Sequence, residues 1–302
     1  MATIILATAA MPAAERRLGG RAGLASRRAL LFVLYAVLPP VTFFNLVRVE
    51  IDADLGIGVG LAGLGLAAAA GLSWVVGSRL FHLSRPAVGS MISCTLVANT
   101  GYLGYPLVAV TFGLESLSEA VVYDILVASP ALLLGAFSVG AAFGTRAGET
   151  IGERARSFFV RNPPLYAAAL ALVAPDALAP DVLVDASRIA IIAVLPVGFF
   201  AVGAALAEEA QGGRLPLPPP LERPVAAVIA IRMLVAPGLL YLLAAPVIAL
   251  PETYLLLAAM PCGLNTMIVT HAYGLDLRIA AEAIAWSTAL AVVAMVPLSL
   301  IT

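Results

Sequence analysis

The chain has 302 residues, of which 62% are hydrophobic and 12% charged, against about 45–50% apolar and about 25% charged in an ordinary soluble domain. A mean hydropathy of +1.02 excludes a water-soluble globule, and a formal net charge of -1 gives no reason to expect a nucleic-acid partner. All 17 basic residues are Arg and none is Lys, which reads as genome composition before function.

A spanning helix needs about 20 mostly apolar residues. Residues 2–14 are apolar but short, covering roughly 20 Å of a ~30 Å hydrocarbon core. The cluster Arg16, Arg17, Arg21, Arg27 and Arg28 follows this stretch, whereas a signal peptide carries its charge in front. We therefore expect a short first span, with its start set too far downstream. Nine further spans begin near Ala29, Leu55, Pro86, Glu119, Pro163, Ala186, Pro224, Glu252 and Leu277. The predicted fold is an all-α membrane protein with ten transmembrane helices.

Span two contains AVLPPVTFFNL from Ala36, and span seven contains AVLPVGFFAVG from Ala193. The likeness suggests two copies of one unit. Residues 1–145 then form a first five-helix repeat, residues 146–162 a linker, and residues 163–302 a second repeat. An odd number of spans per repeat inverts the second copy, a signature of secondary transporters. Span three offers Gly-x-x-x-Gly spacings such as Gly56 to Gly60, a weak signal for close helix packing. Span four carries VANTGYLGYPLVAV, residues 97–110, and its repeat partner, span nine, carries AAMPCGLNTMIVTHAYG, residues 258–274. Pro removes an N–H and clashes with the preceding turn. Gly tolerates opened geometry. Backbone groups freed at that depth must face protein or water. Both spans are therefore predicted to be broken helices, and their exposed ends could bind an ion.

With ten spans, fourteen Arg residues fall on one side, including Arg79, Arg85, Arg146, Arg154, Arg156, Arg161, Arg214, Arg223 and Arg278. Arg48 and Arg188 fall on the other, with acids such as Glu50, Asp54, Glu115, Asp176, Asp181 and Asp185. By the positive-inside rule the middle loop is cytoplasmic and the chain is a multi-pass protein of the inner cell membrane. Cys94 and Cys262 lie in apolar stretches and read as two small buried hydrophobes. With two His and no GxSxG, HExxH, Walker or Rossmann fingerprint in a usable context, no enzyme chemistry, metal site or cofactor is expected.

NTGYLGYPL in span four, RNPPLYAAAL opening span six, AVLPVGFFAVGAAL in span seven and AAMPCGLNTMIVTHAYGLD through span nine resemble the auxin efflux carrier family and its bacterial members. The resemblance runs over nearly the whole chain. It departs at the short first span and at Cys262 and Gly263, where small Ala, Thr or Ser residues are expected. The bile acid–sodium symporters share the architecture but match the motifs less well. The resemblance implies two inverted five-helix repeats, with spans four and nine crossing at Pro106 and Pro261 in a transport domain. Spans one, two, six and seven would form a scaffold, often a homodimer. It also implies an elevator-like mechanism and a carboxylate substrate, such as an auxin-like acid. Carried over residue by residue, the substrate site would comprise Asn99, Thr100, Gly101, Pro106, Pro261, Asn265 and Thr266.

Three ionisable groups fall within spans: Asp124, Arg232 and Glu282. Each costs about 2.5–3.5 kcal/mol at a helix centre on insertion scales, so each should have a partner or a cavity. Arg232 and Glu282 are expected at similar depth and able to pair. They are either a static pair or an anion-holding Arg beside a proton-exchanging Glu. Asp124 is either a near-interface polar residue or an outer proton or cation site. His271 reads as interfacial, and Asn45 as a helix-end residue. The expected activity is secondary transport of a small organic anion. A sodium-coupled symporter using oxygens of Thr95, Asn99, Asn265 and Thr270, and a non-transporting sensor, are the alternatives.

Overall fold

The computed structural model describes residues 28–29, 31–49, 53–145, 163–192, 194 and 220–301. The expected first span, the linker at 146–162 and the second AVLP motif beyond Val194 lie outside the described residues. The helices in chain order are α1 (Val33–Leu46), α2 (Asp54–Leu80), α3 (Arg85–Leu96), α4 (residues 100–111), α5 (Leu117–Phe143), α6 (Pro163–Ala171), α7 (Asp181–Ile192), α8 (Arg223–Ala244), α9 (Glu252–Ala258), α10 (Asn265–Tyr273) and α11 (Leu277–Ile301). Among the described residues, helix lies at each span start expected from Ala29 onward. Four of the described helices, α2, α5, α8 and α11, are long and apolar enough to cross a bilayer by length and composition alone. Leu64, Leu134, Leu170, Leu234 and Val293 are exposed on their outer faces. In water such a surface would aggregate; in hydrocarbon it is solvated.

Prolines shape these helices in a regular way. Wide π-type turns occupy Val33–Val37, Thr100–Gly104, Asp124–Ala128 and Ile231–Val235. Each ends two residues before a proline: Pro39, Pro106, Pro130 and Pro237. A proline cannot donate to the carbonyl four residues back, and its ring pushes that carbonyl aside. The residue just before it therefore donates one step further back: Leu38 N–H to Val33 O, Tyr105 to Thr100, Ser129 to Asp124 and Ala236 to Ile231. Asp124 and Arg232 both sit on such turns, which recur at functional sites.

Helix α1 packs on α6 and α7, and α2 packs on α3 and α8. Arg48 Nη2 donates to Asp181 Oδ1 at 2.8 Å, joining the end of α1 to the start of α7. Asn45, fully buried, holds the same pair together: its Oδ1 accepts from Arg188 Nε at 2.9 Å and its Nδ2 donates to Val41 O at 2.8 Å. Asn45 thus stands in the last turn of α1, as expected, and is also an inter-helix tie. Among the described residues the Gly56–Gly60 spacing brings no neighbour close, since a Cβ at either position would meet nothing within 4 Å. Gly65 makes the close approach instead: a Cβ there would lie 3.2 Å from the Leu240 backbone N of α8. At the end of α10, Gly274 adopts φ 67°, the left-handed cap that only Gly takes without strain. Leu275 N–H then returns to Thr270 O at 3.0 Å. Asp276 Oδ1 caps α11 by accepting from the N–H groups of Arg278 and Ile279 at 3.0 and 3.1 Å.

Candidate functional site

Spans four and nine are both interrupted. Helix α3 stops at Leu96, and Val97 is extended (φ -96°, ψ 107°). Helix α9 stops at Ala258, and α10 does not start until Asn265. The two gaps meet. Ala98 pairs antiparallel with Cys262 in an isolated bridge. Asn99 N–H donates to Pro261 O at 2.9 Å, and Gly263 N–H donates to Val97 O at 2.8 Å. Backbone groups freed by each break are therefore satisfied by the other, as burial without water requires. Pro261 fits because this ladder asks only for its carbonyl. Gly263 fits because an added Cβ would lie 2.7 Å from Ala98 O.

The crossing point differs from the expectation at one proline. Pro261 lies in the bridge, but Pro106 does not. It is buried in α4, eight residues beyond Ala98, where it widens the Thr100–Gly104 turn. The break in span four comes instead at Val97–Asn99, where the bridge to span nine replaces helical bonding.

Two helix N-termini, of α4 and α10, and two C-termini, of α3 and α9, converge on this bridge. Around it several buried polar atoms lack a hydrogen-bond partner: Asn99 Nδ2, Thr266 Oγ1, and Nε and Nη1 of Arg232. Arg232 is 1% exposed. Its Nη2 lies 3.5 Å from Leu257 O, in the last turn of α9, where the negative end of the helix dipole suits a cation. Cys262 N–H donates to Ser287 Oγ of α11 at 3.1 Å.

The remaining expected residues divide. Thr100 is buried and donates to Asp124 Oδ1, while Tyr105 Oη donates to Asp124 Oδ2 at 3.0 Å. Asp124 of α5 therefore grips the first turns of α4. Gly101 faces α1, where a Cβ would stand 3.7 Å from Leu38 Cδ1. Asn265 heads α10 but is exposed, unlike the buried Asn99. Glu282 does not pair with Arg232. Its Oε1 accepts from Arg278 Nε at 2.9 Å, one turn earlier on α11, and Arg278 also pairs with Glu222. Similar depth does not decide the partner: an i,i+4 neighbour on the same helix takes the carboxylate. Glu282 Oε2 is buried without a partner. His271 is exposed in the last turn of α10.

Sequence reasoning missed three participants. Tyr105 was signalled only by its place in GYLGYPL, Ser287 by nothing local, and the Leu257 carbonyl by its position just ahead of a helix break. Thr95 and Thr270, expected as cation ligands in the sodium-coupled alternative, donate to the carbonyls of Met91 and Thr266 four residues back.

Residues 155–299 match a family model described as membrane transport protein. An uncharacterized transporter of Methanocaldococcus jannaschii is 31% identical over 102 residues, which are 34% of this chain and 32% of the relative. The match thus spans about a third of the relative's length. A family of transport proteins agrees with the lack of any catalytic set in the sequence. Residues 155–299, a little under half of the chain, are thus similar to a family of membrane transport proteins, in line with the resemblance of its motifs to the auxin efflux carriers.

Proposed function

We propose that the chain is a secondary carrier of a small organic anion, such as a carboxylate, working by alternating access. The observation that carries this reading is Arg232: a buried guanidinium with two unpartnered nitrogens, set against the end of α9 beside the crossed breaks. A buried cation without a counter-charge is costly, and an arriving carboxylate offers it charge-assisted hydrogen bonds. The helix N-termini of α4 and α10 and the free Asn99 amide add further donors for the anion. Asn265 and Thr266 border the same crossing.

Coupling falls to Asp124 and Glu282. Ionised Asp124 accepts from both Thr100 and Tyr105. Protonation removes acceptor capacity and loosens α4 at the break, which links proton uptake to the shape of the site. The motion we favour is an elevator in which α3, α4, α9 and α10 move against a scaffold containing α1, α6 and α7. The charge pattern favours an inner-membrane location with residues 146–162 in the cytoplasm, and the scaffold is a candidate homodimer surface. Sodium coupling is the second reading: Thr95 and Thr270 donate to carbonyls of their own helices and keep oxygen lone pairs for a cation.

The test is uptake of labelled carboxylates by the purified chain in sealed liposomes, first under a pH gradient and then under a sodium gradient. Saturable uptake that follows the pH gradient is expected. Uptake that requires sodium would replace proton coupling with the sodium-driven reading. A folded chain that binds a carboxylate but moves none would make it a sensor.

A further inference from the structure

Cys94 and Cys262 stand 168 positions apart in the sequence, yet the helix crossing brings them together. Ala98 and Cys262 face each other as the pair that exchanges no hydrogen bonds, since the bonds run between Asn99 and Pro261 and between Gly263 and Val97. In an antiparallel ladder this is the geometry with the shortest Cα separation and the closest side chains. Cys94 lies one helical turn before Ala98, in the last turns of α3. Both side chains are fully buried, and both belong to one packed cluster with Met91. Neither is a cystine as the chain stands.

We propose that Cys94 and Cys262 are a modification site: a dithiol that a small neutral oxidant such as hydrogen peroxide converts to a disulfide clamping the two helix breaks together. One thiol attacks the peroxide oxygen, giving a sulfenic acid and one water. The second thiol displaces the sulfenic hydroxyl, which leaves with the thiol proton as a second water. Two thiols and one peroxide thus become one disulfide and two waters. A small molecule such as dithiothreitol reverses the step by thiol–disulfide exchange. The product ties α3 to the segment between α9 and α10, so that Val97–Asn99 can no longer part from Pro261–Gly263.

The chain contains two cysteines, so an intramolecular disulfide has one possible identity. Full-length protein, folded in detergent, is treated with hydrogen peroxide, quenched in denaturant, and its free thiols are alkylated and counted by intact mass. Loss of both alkylation sites is expected, with a mass lower by two hydrogens, a monomer on a non-reducing gel, and full recovery after dithiothreitol. Cys94→Ala should abolish the intramolecular product. Retention of both free thiols in folded, peroxide-treated protein would overturn the proposal, as would cross-linked dimers in place of the internal bond. The readout is a thiol count, so it stands whether or not the chain carries an organic anion.

Discussion

Arg232 separates a structural role from a functional one more cleanly than any other residue. Its side chain is buried, and two of its three nitrogens have no hydrogen-bond partner. A purely structural arginine would be expected to satisfy them. Replacing a buried ion with an apolar side chain of similar volume is often neutral or stabilising by about 1–4 kcal/mol. Arg232→Met should therefore leave the thermal midpoint unchanged or higher. Its uptake of the carboxylate should fall about 10- to 100-fold, the effect of losing one charge-assisted hydrogen bond worth about 1.5–3 kcal/mol. A folded Met variant with wild-type uptake would remove Arg232 from the site. The position of Arg232 was readable from sequence only in part. Its depth followed from counting along α8, but its partner depended on which way the helix is turned, and the wide turn before Pro237 alters that. The same limit explains the missed dithiol. Two distant cysteines in apolar stretches look inert until a tertiary contact places them side by side.

At the scale of elements, the breaks themselves were legible. Pro, Gly, Asn and Thr crowd one stretch in each of two apolar spans, and the structure interrupts both spans there. The register of the crossing was not legible, because the bridge between Ala98 and Cys262 depends on what each break meets and not on its own residues. A local rule would have helped. In four helices the turn ending two residues before a proline is wide, and reading Pro106 this way moves it out of the crossing. Gly263 and Gly56 give a matched test of how the crossing is built. A Cβ on Gly263 would press on the Ala98 carbonyl, backbone that cannot swing aside. Gly263→Ala should cost about 1–3 kcal/mol, the usual penalty of overpacking. Gly56→Ala meets open space and should gain up to about 1 kcal/mol from helix propensity. Thermal unfolding of the two variants in one detergent checks the pair. Equal midpoints would mean that the breaks do not approach as closely as the bridge requires.

For the whole molecule, the question is whether α4 moves against α1. Helix α1 is tied to α7 by Asn45, Arg188, Arg48 and Asp181, and it also packs on α6. Such a set of polar ties, buried at Asn45, is suited to staying still. Helix α4 is bonded instead to Asp124 and to the other broken helix. Between these groups α4 packs on α7, and Leu38 of α1 stands 3.7 Å from where a Gly101 side chain would begin. An elevator slides along this seam, whereas a local gate opens at the crossing and leaves the seam intact. Leu38→Cys combined with Gly101→Cys, in a chain carrying Cys94→Ala and Cys262→Ala, puts one thiol on each side. A short bifunctional thiol reagent should then join α1 to α4 and stop uptake, while each single-cysteine control keeps its flux after the same treatment. Flux that survives complete cross-linking would show that α1 and α4 travel together, and alternating access would then have to arise from rearrangement of the crossed breaks alone.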